Sequence, residues 1–178
     1  MATRAQDGRA RMATKIAHEV TGQLTARSPS AYLPKKGAKE LVVCDKCHLI
    51  YQHKRWYLDE AEANRLLADS RTQKGKCPVC RRMEDSIPAG IVTLSGSYLR
   101  QHEEEILDLI KNTEVKTRTK NPLGRIMEIG QEGDLLTVST TDDKLAQKLG
   151  REVYKAHKGD LNFKWSHDQE MVRVGWQR

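Results

Sequence analysis

Cys44, Cys47, Cys77 and Cys80 form a C-x2-C…C-x2-C pattern. Two intervening residues let both sulfurs of a pair point at one centre, and two pairs complete a tetrahedral shell of four thiolates. That is the closed geometry of a structural zinc ion, whose net charge of about −2 the flanking Lys46, Lys76, Arg81 and Arg82 would offset. The spacer of 29 residues exceeds the roughly 15–20 of the simplest pattern, and a helix inserted over 59–70 accounts for the excess. Two other chemistries use the same residue types. A redox C-x-x-C pair opens a helix after a strand in a βαβ unit, a setting the sequence does not supply. An iron centre on four thiolates fits by ligand type. His48 or His53 could replace a cysteine, but both read as surface residues of the strand after the first knuckle. With four protein ligands no coordination position stays open, so the expected role is structural.

Cations make the second candidate. Lys144, Lys148, Arg151, Lys155 and Lys158 follow one another in steps of four and three, one stripe of a helix. Leu145, Ala146, Leu149, Val153 and Ala156 fall opposite and predict the packed side. Aligned cations suit phosphate contacts, while a solvated helix face needs no partner at all. Lys54, Arg55 and Trp56, with Tyr57, mix cations and aromatics beside the first knuckle, and Arg81 and Arg82 beside the second are further candidates for nucleic-acid contact; Trp56 could stack on a base or cover the module's thin core. A sheet face of Asn162, Lys164, Arg173, Thr137 and Ser139 offers no aromatic platform for bases.

Catalytic signatures are missing. No nucleophile elbow, P-loop or dinucleotide fingerprint occurs, and Glu103-Glu104-Glu105 on a helix would point three ways. His102 reads as a packing or surface residue, and His157, ending a helix, as an imidazolium favoured by the C-terminal dipole. No small-molecule substrate is indicated, and the expectation is a protein that is not an enzyme.

The 178 residues suit one domain or two small ones, with 38% hydrophobic and 5% aromatic residues and a net charge of +7. Residues 1–43 carry 8 basic and 3 acidic side chains and residues 44–90 carry 9 and 7, whereas 91–123 and 124–178 balance. A basic tail leading into a cysteine module is an arrangement common among proteins that touch nucleic-acid phosphates. No apolar run is long enough to span a bilayer, and the first residues lack a secretory signal. Paired cysteines as metal ligands suit a reducing compartment, so a cytoplasmic location and no membrane partner are expected.

These elements predict an α+β chain: a four-cysteine zinc ribbon followed by a small β-β-α-β-β domain. Residues 1–39 form a basic flexible tail, in which Met12, Ile16, Val20 and Leu24 recur at helical spacing. Residues 40–90 form the zinc-ribbon module, with a strand at 41–43, strand composition over 49–58 and a helix over 59–70 capped by Asp59. Residues 91–123 supply a brief apolar stretch, a helix capped by Ser95 or Ser97 with Leu99, Ile106 and Ile110 buried, and a linker from Asn112 to Gly124. Residues 124–178 alternate as hairpins 125–130/135–140 and 161–166/171–177 around a helix from Asp142 to about His157. Leu161, Phe163, Trp165, Val172, Val174 and Trp176 meet that helix.

The stretches CDKCHLIYQHKRWYL, CPVCRR, IPAGIVTLSGSYLRQHEEEILDLIKN, NPLGRIM and LLTVSTTDDKLAQKLGREVYKAHKG resemble a family of short bacterial zinc-ribbon proteins, over about residues 40–178. The four cysteines sit at that family's positions, which implies the same zinc ligands. More distantly the chain is similar to the nonsense-mediated-decay-three adaptors of the large ribosomal subunit, from which it departs in having one four-cysteine set and a shorter length. Together these readings lead to the expectation of a zinc-ribbon, RNA-binding accessory factor associated with ribosomes or ribosomal RNA. The alternative is a protein adaptor that docks through the ribbon and the tail's apolar stripe. Salt separates the two, because phosphate contacts weaken as ions are added.

Overall fold

The computed structural model describes residues 20–21, 32, 41–166 and 171–178. Val20–Thr21 forms strand β1; Met12, Ile16 and Leu24 of the expected apolar stripe lie outside the described residues. Val20 therefore takes part in a strand, not in the helix that its spacing predicted.

The cysteine module is built on a four-stranded sheet of order β4-β3-β2-β5. Its strands are β2 (Val42–Cys44), β3 (Ile50–Gln52), β4 (Arg55–Tyr57) and β5 (Gln73–Gly75). The single strand expected over 49–58 is instead a hairpin, because His53 and Lys54 turn the chain with positive φ. Between β4 and β5 runs α1 (Glu60–Ala68), where Asp59 caps as expected by accepting from the Glu62 amide at 2.9 Å. Buried Val43, Ile50 and Ala63 form a small core beneath it, with Leu66 and Leu67 packed at its margin. Helix α2 (Pro78–Asp85) follows, with proline in its first turn, where the missing amide costs nothing.

The second region is larger than the four-stranded unit the sequence predicted. Gly90–Ser95, read only as a brief apolar stretch, is β6, a central strand of the sheet β1-β9-β10-β6-β8-β7. The others are β7 (Ile126–Glu132), β8 (Leu135–Thr140), β9 (Asp160–Trp165) and β10 (Val172–Gln177). Strand β6 separates the two expected hairpins, running parallel to β10 and antiparallel to β8. The alternation of buried and half-buried residues along β6 explains the insertion: Val92 and Leu94 enter the core while Ile91 and Thr93 stay on the other face. Strand β1 pairs in parallel with β9 at one edge of the sheet.

Helices α3 (Ser97–Gln101), α4 (Glu103–Arg118) and α5 (Asp143–His157) follow β6 and β8 in the chain. Neither Ser95 nor Ser97 caps α3; Gly96 does so with φ 110° and no side-chain bond. Most of the expected linker from Asn112 is the second half of α4. Thr113 and Thr117 prolong the buried row of Ile106 and Ile110, and Thr117 satisfies its buried hydroxyl on the Thr113 carbonyl at 2.7 Å. Helix α5 begins at the expected place, its Asp142 cap accepting from the Leu145 amide. Its buried side is Leu145, Ala146, Leu149, Gly150, Val153 and His157; Ala156 is exposed, contrary to expectation. A Cβ on Gly150 would collide with the Val174 side chain, and one on Gly90 with the Ala146 methyl, so each glycine lets helix and sheet approach closely. Sixteen buried apolar residues form the core between helices and sheet, including Val92, Leu94, Phe163, Val174 and Trp176. Trp165 packs at its edge. Burying each large side chain contributes about 1.5–3 kcal/mol.

Candidate metal centre and basic surfaces

The fold brings the four cysteines together from distant points. Cys44 ends β2, Cys47 lies in the turn after it, Cys77 caps α2, and Cys80 sits in its first turn. All four sulfurs lie within 4.8 Å of one another, Cys44 to Cys80 at 3.7 Å and Cys47 to Cys77 at 3.3 Å. A tetrahedron with metal–sulfur bonds of about 2.3 Å has edges of about 3.8 Å, so the cluster fits a metal ion of that size. Backbone amides already point at the sulfurs: Cys77 N donates to Cys44 Sγ and Cys80 N to Cys77 Sγ, both at 3.4 Å. The first knuckle closes through His48 N to Cys44 O at 3.0 Å and Cys44 N to Leu49 O at 2.8 Å. Donors to sulfur favour the thiolate.

Crowded sulfurs do not titrate alike. Hydrogen bonds from Cys47 and Cys77 hold the Cys44 thiol far below its ordinary value. The shared hydrogen bonds with Cys44 and Cys47 push Cys77 up, and burial pushes Cys80 up to about 12. Only a bound cation removes the mutual repulsion that keeps the four from ionising together, which is the reason such a donor set takes a metal.

The surroundings correct several expectations. The second cysteine pair does open a helix after a strand, β5 into α2, but β5 and the next strand β6 belong to different sheets, so the βαβ unit of a redox pair is not formed. Convergence of two further sulfurs on the pair is what distinguishes a metal-type cluster. His48 and His53 are exposed, as expected, and lie outside the cluster of potential ligands. Lys46 and Lys76 are held by a carboxylate instead of serving only the thiolates. Glu84 of α2 accepts from Lys46 and, at 2.7 Å, from Lys76, and the pair keeps its carboxyl below the usual range. Arg81 is exposed, whereas Arg82 is buried, donates to the Ile87 carbonyl and stacks on Tyr32 at 4.5 Å. Arg82 is therefore built into the module and not displayed for a nucleic acid.

Trp56 packs against the buried group of Cys44, Leu49, Cys77, Val79 and Cys80, with its ring 5.2 Å from that of Tyr51. It covers the module's core. Leu123 packs there too, arriving from the loop between α4 and β7. That loop is fastened to the start of α5: Thr141 Oγ1 donates to the Leu123 carbonyl at 2.6 Å, and Asn121 Nδ2 to Asp142 at 3.1 Å. Sequence reasoning missed Leu123 because Asn-Pro-Leu-Gly reads as a turn, and nothing in it signals a distant contact.

Helix α5 presents the expected stripe, with differences along it. Lys148 turns aside to donate to Thr117 of α4 at 3.0 Å. Lys155 is paired with Glu152 at 2.7 Å. Arg151 lies near Gln147 and over Phe163, and Lys158 is the cap residue with φ 59°. Lys144 and Arg151 are exposed. Of the five, Lys155 alone meets a carboxylate among the described residues. On the sheet's uncovered side Asn162, Lys164 and Arg173 are exposed and Thr137 and Ser139 half-buried, as expected.

His157 is not an exposed imidazolium. It is buried, its Nδ1 lies 3.3 Å from the Tyr98 hydroxyl, and burial lowers its pKa. His102 stacks on Tyr98 at 4.0 Å and approaches Glu105 at 3.1 Å, so its expected packing role stands. Among the described residues no helix is long and apolar enough to cross a membrane.

Compared with known protein families, with curated proteins and with solved structures, the chain matches none.

Proposed function

We propose that this chain is a non-catalytic zinc-ribbon protein that binds RNA as an accessory factor of ribosomal RNA or a ribosomal particle, in the cytoplasm. On this reading it belongs with the short bacterial zinc-ribbon proteins that its cysteine stretches resemble. The metal is zinc, held by Cys44, Cys47, Cys77 and Cys80, and it organises the module without performing chemistry. The observation that carries the RNA reading is the outward face of α5. Glu152 neutralises Lys155 there, but Lys144, Lys148, Arg151 and Lys158 have no carboxylate partner among the described residues. Such a row attracts a phosphate backbone and releases its counterions.

The test is sedimentation of the tagged protein from a lysate at low and high salt, with and without ribonuclease. Comigration with a ribosomal particle, lost in salt, is the expected result; Lys144→Glu with Arg151→Glu abolishes it in a folded protein. Free sedimentation under every condition refutes the reading. The second reading, a protein adaptor, draws on exposed Met83 and Ile87 beside the end of α2. An adaptor keeps its partner in high salt.

A further inference from the structure

We propose that the tip of the β3–β4 hairpin, His53-Lys54-Arg55, grips the phosphodiester backbone of RNA; this rests on the RNA reading and names a contact for it. Strand pairing joins Gln52 to Arg55, which leaves His53 and Lys54 as a two-residue loop. Both have positive φ, 48° and 63°. Hairpin turns of that kind select Asn-Gly or Asp-Gly, because a Cβ strains the left-handed backbone. Here two large side chains occupy both positions, and both are exposed, so neither is held there by packing. Strain kept where packing does not require it points to use of the side chains themselves.

Charge supports the same reading. His53, Lys54 and Arg55 are consecutive, exposed and free of carboxylate partners among the described residues. Several other cations of the module are occupied, Lys46 and Lys76 by Glu84, Arg71 by Asp69 and Arg82 beneath Tyr32, while the exposed Arg65, Lys74 and Arg81 are not consecutive with one another. The hairpin below the tip is fixed on both faces. On one, Trp56 packs against the cysteine cluster with the Tyr51 ring beside it. On the other, the Tyr57 hydroxyl sits 3.1 Å from both Gln52 and Glu62. A narrow, basic, preorganised loop projecting from a fixed base meets a phosphate backbone at little cost in entropy.

The experiment sets stability against binding in the full-length, metal-loaded chain. His53→Asn combined with Lys54→Gly relieves the turn and removes a cation. Its melting temperature rises by about 2–4 °C. Its affinity for a labelled RNA stem-loop at about 0.1 M salt falls about sixfold, and the slope of log K against log salt shrinks by about 0.7–0.9. Arg55→Gln loses affinity to the same extent without the rise in melting temperature. A stabilised double variant that binds like the parent overturns the proposal and leaves the RNA reading standing. A double variant that is no more stable overturns it too, since no strain was then being kept. If that variant fails to retain metal, Lys54→Gln and Arg55→Gln decide, and unchanged affinity in both overturns the contact. A parent chain that does not bind the stem-loop even at low salt refutes the RNA reading itself. A DNA stem-loop bound as tightly as the RNA refutes the assignment to RNA.

Discussion

The cysteine module and the α/β region differ in what fills their interiors. Around the metal-type cluster three of the five buried residues are cysteines, and the neighbouring core is Val43, Ile50 and Ala63. The α/β region buries sixteen apolar residues in one continuous layer. A small module with so little apolar volume would, on the proposed zinc reading, hold its shape by sulfur ligation, whereas the larger region has the packing to hold its own. The comparison teaches where this chain is vulnerable: chemistry threatens the first region and shape threatens the second.

The sharpest way to break the symmetry is to remove a ligand. With zinc bound as proposed, Cys77→Ser or chelation unfolds the module, because binding worth on the order of 10 kcal/mol would then be its folding energy. Hydrogen exchange would lose protection from β2 through α2 and keep it from β6 through β10. Loss of protection in both regions would show that the α/β region leans on the module.

The converse perturbation acts on shape. Gly150→Ala gains roughly 1 kcal/mol of helix propensity, yet the new methyl meets Val174 where helix and sheet touch. Overpacking of about 1–3 kcal/mol wins, so thermal melting moves down while metal content stays unchanged. A rise in melting temperature would mean that the helix can lift without loss.

Leu123 is the seam between the regions, half-buried against the cysteine cluster while its loop is tied to α5. Leu123→Ala costs about 1–2 kcal/mol, less than a fully buried leucine. Its distinguishing effect is on cooperativity: calorimetry resolves two transitions where the parent chain shows more overlap.

The smallest effect is with pH. Burial lowers the His157 pKa, aided by His102 and Arg178 and opposed by Glu105. The unfolded state then binds the extra proton first, so stability falls as pH drops from about 6.5 toward the folded value and is fully present above it. Denaturant midpoints between pH 7 and 5 would drop less in His157→Gln than in the parent. Equal drops would assign the acid sensitivity elsewhere.

Much of this was legible before any coordinates. Cysteine spacing brought four ligands together correctly, and Asp59 and Asp142 marked their helices because a capping side chain acts within three residues. The alternation of Leu161, Phe163, Val172, Val174 and Trp176 identified the buried side of two strands for the same local reason. What failed had a non-local cause. Asn112–Arg118 looked like a linker because its buried positions carry polar Thr113 and Thr117, and the Thr117 hydroxyl finds its partners only once the helix and α5 are in place, in the Thr113 carbonyl and Lys148. Strand β6 looked too short to matter, and only its partners on both sides make it central. Lysines equal in sequence became different in their contacts once Thr117 took Lys148 and Glu152 took Lys155.

The sequence by itself determined the local matters: which sulfurs pair, where helices start, which strand faces are apolar. Periodicity and capping are decided by residues a few positions apart, so a single chain records them. The tertiary structure alone decided the order of strands in the sheet, the burial of Arg82 and His157, and the seat of Leu123 on the cysteine cluster. Each of those depends on surfaces that meet only after the chain has folded, where shape and desolvation act between residues that no spacing rule connects.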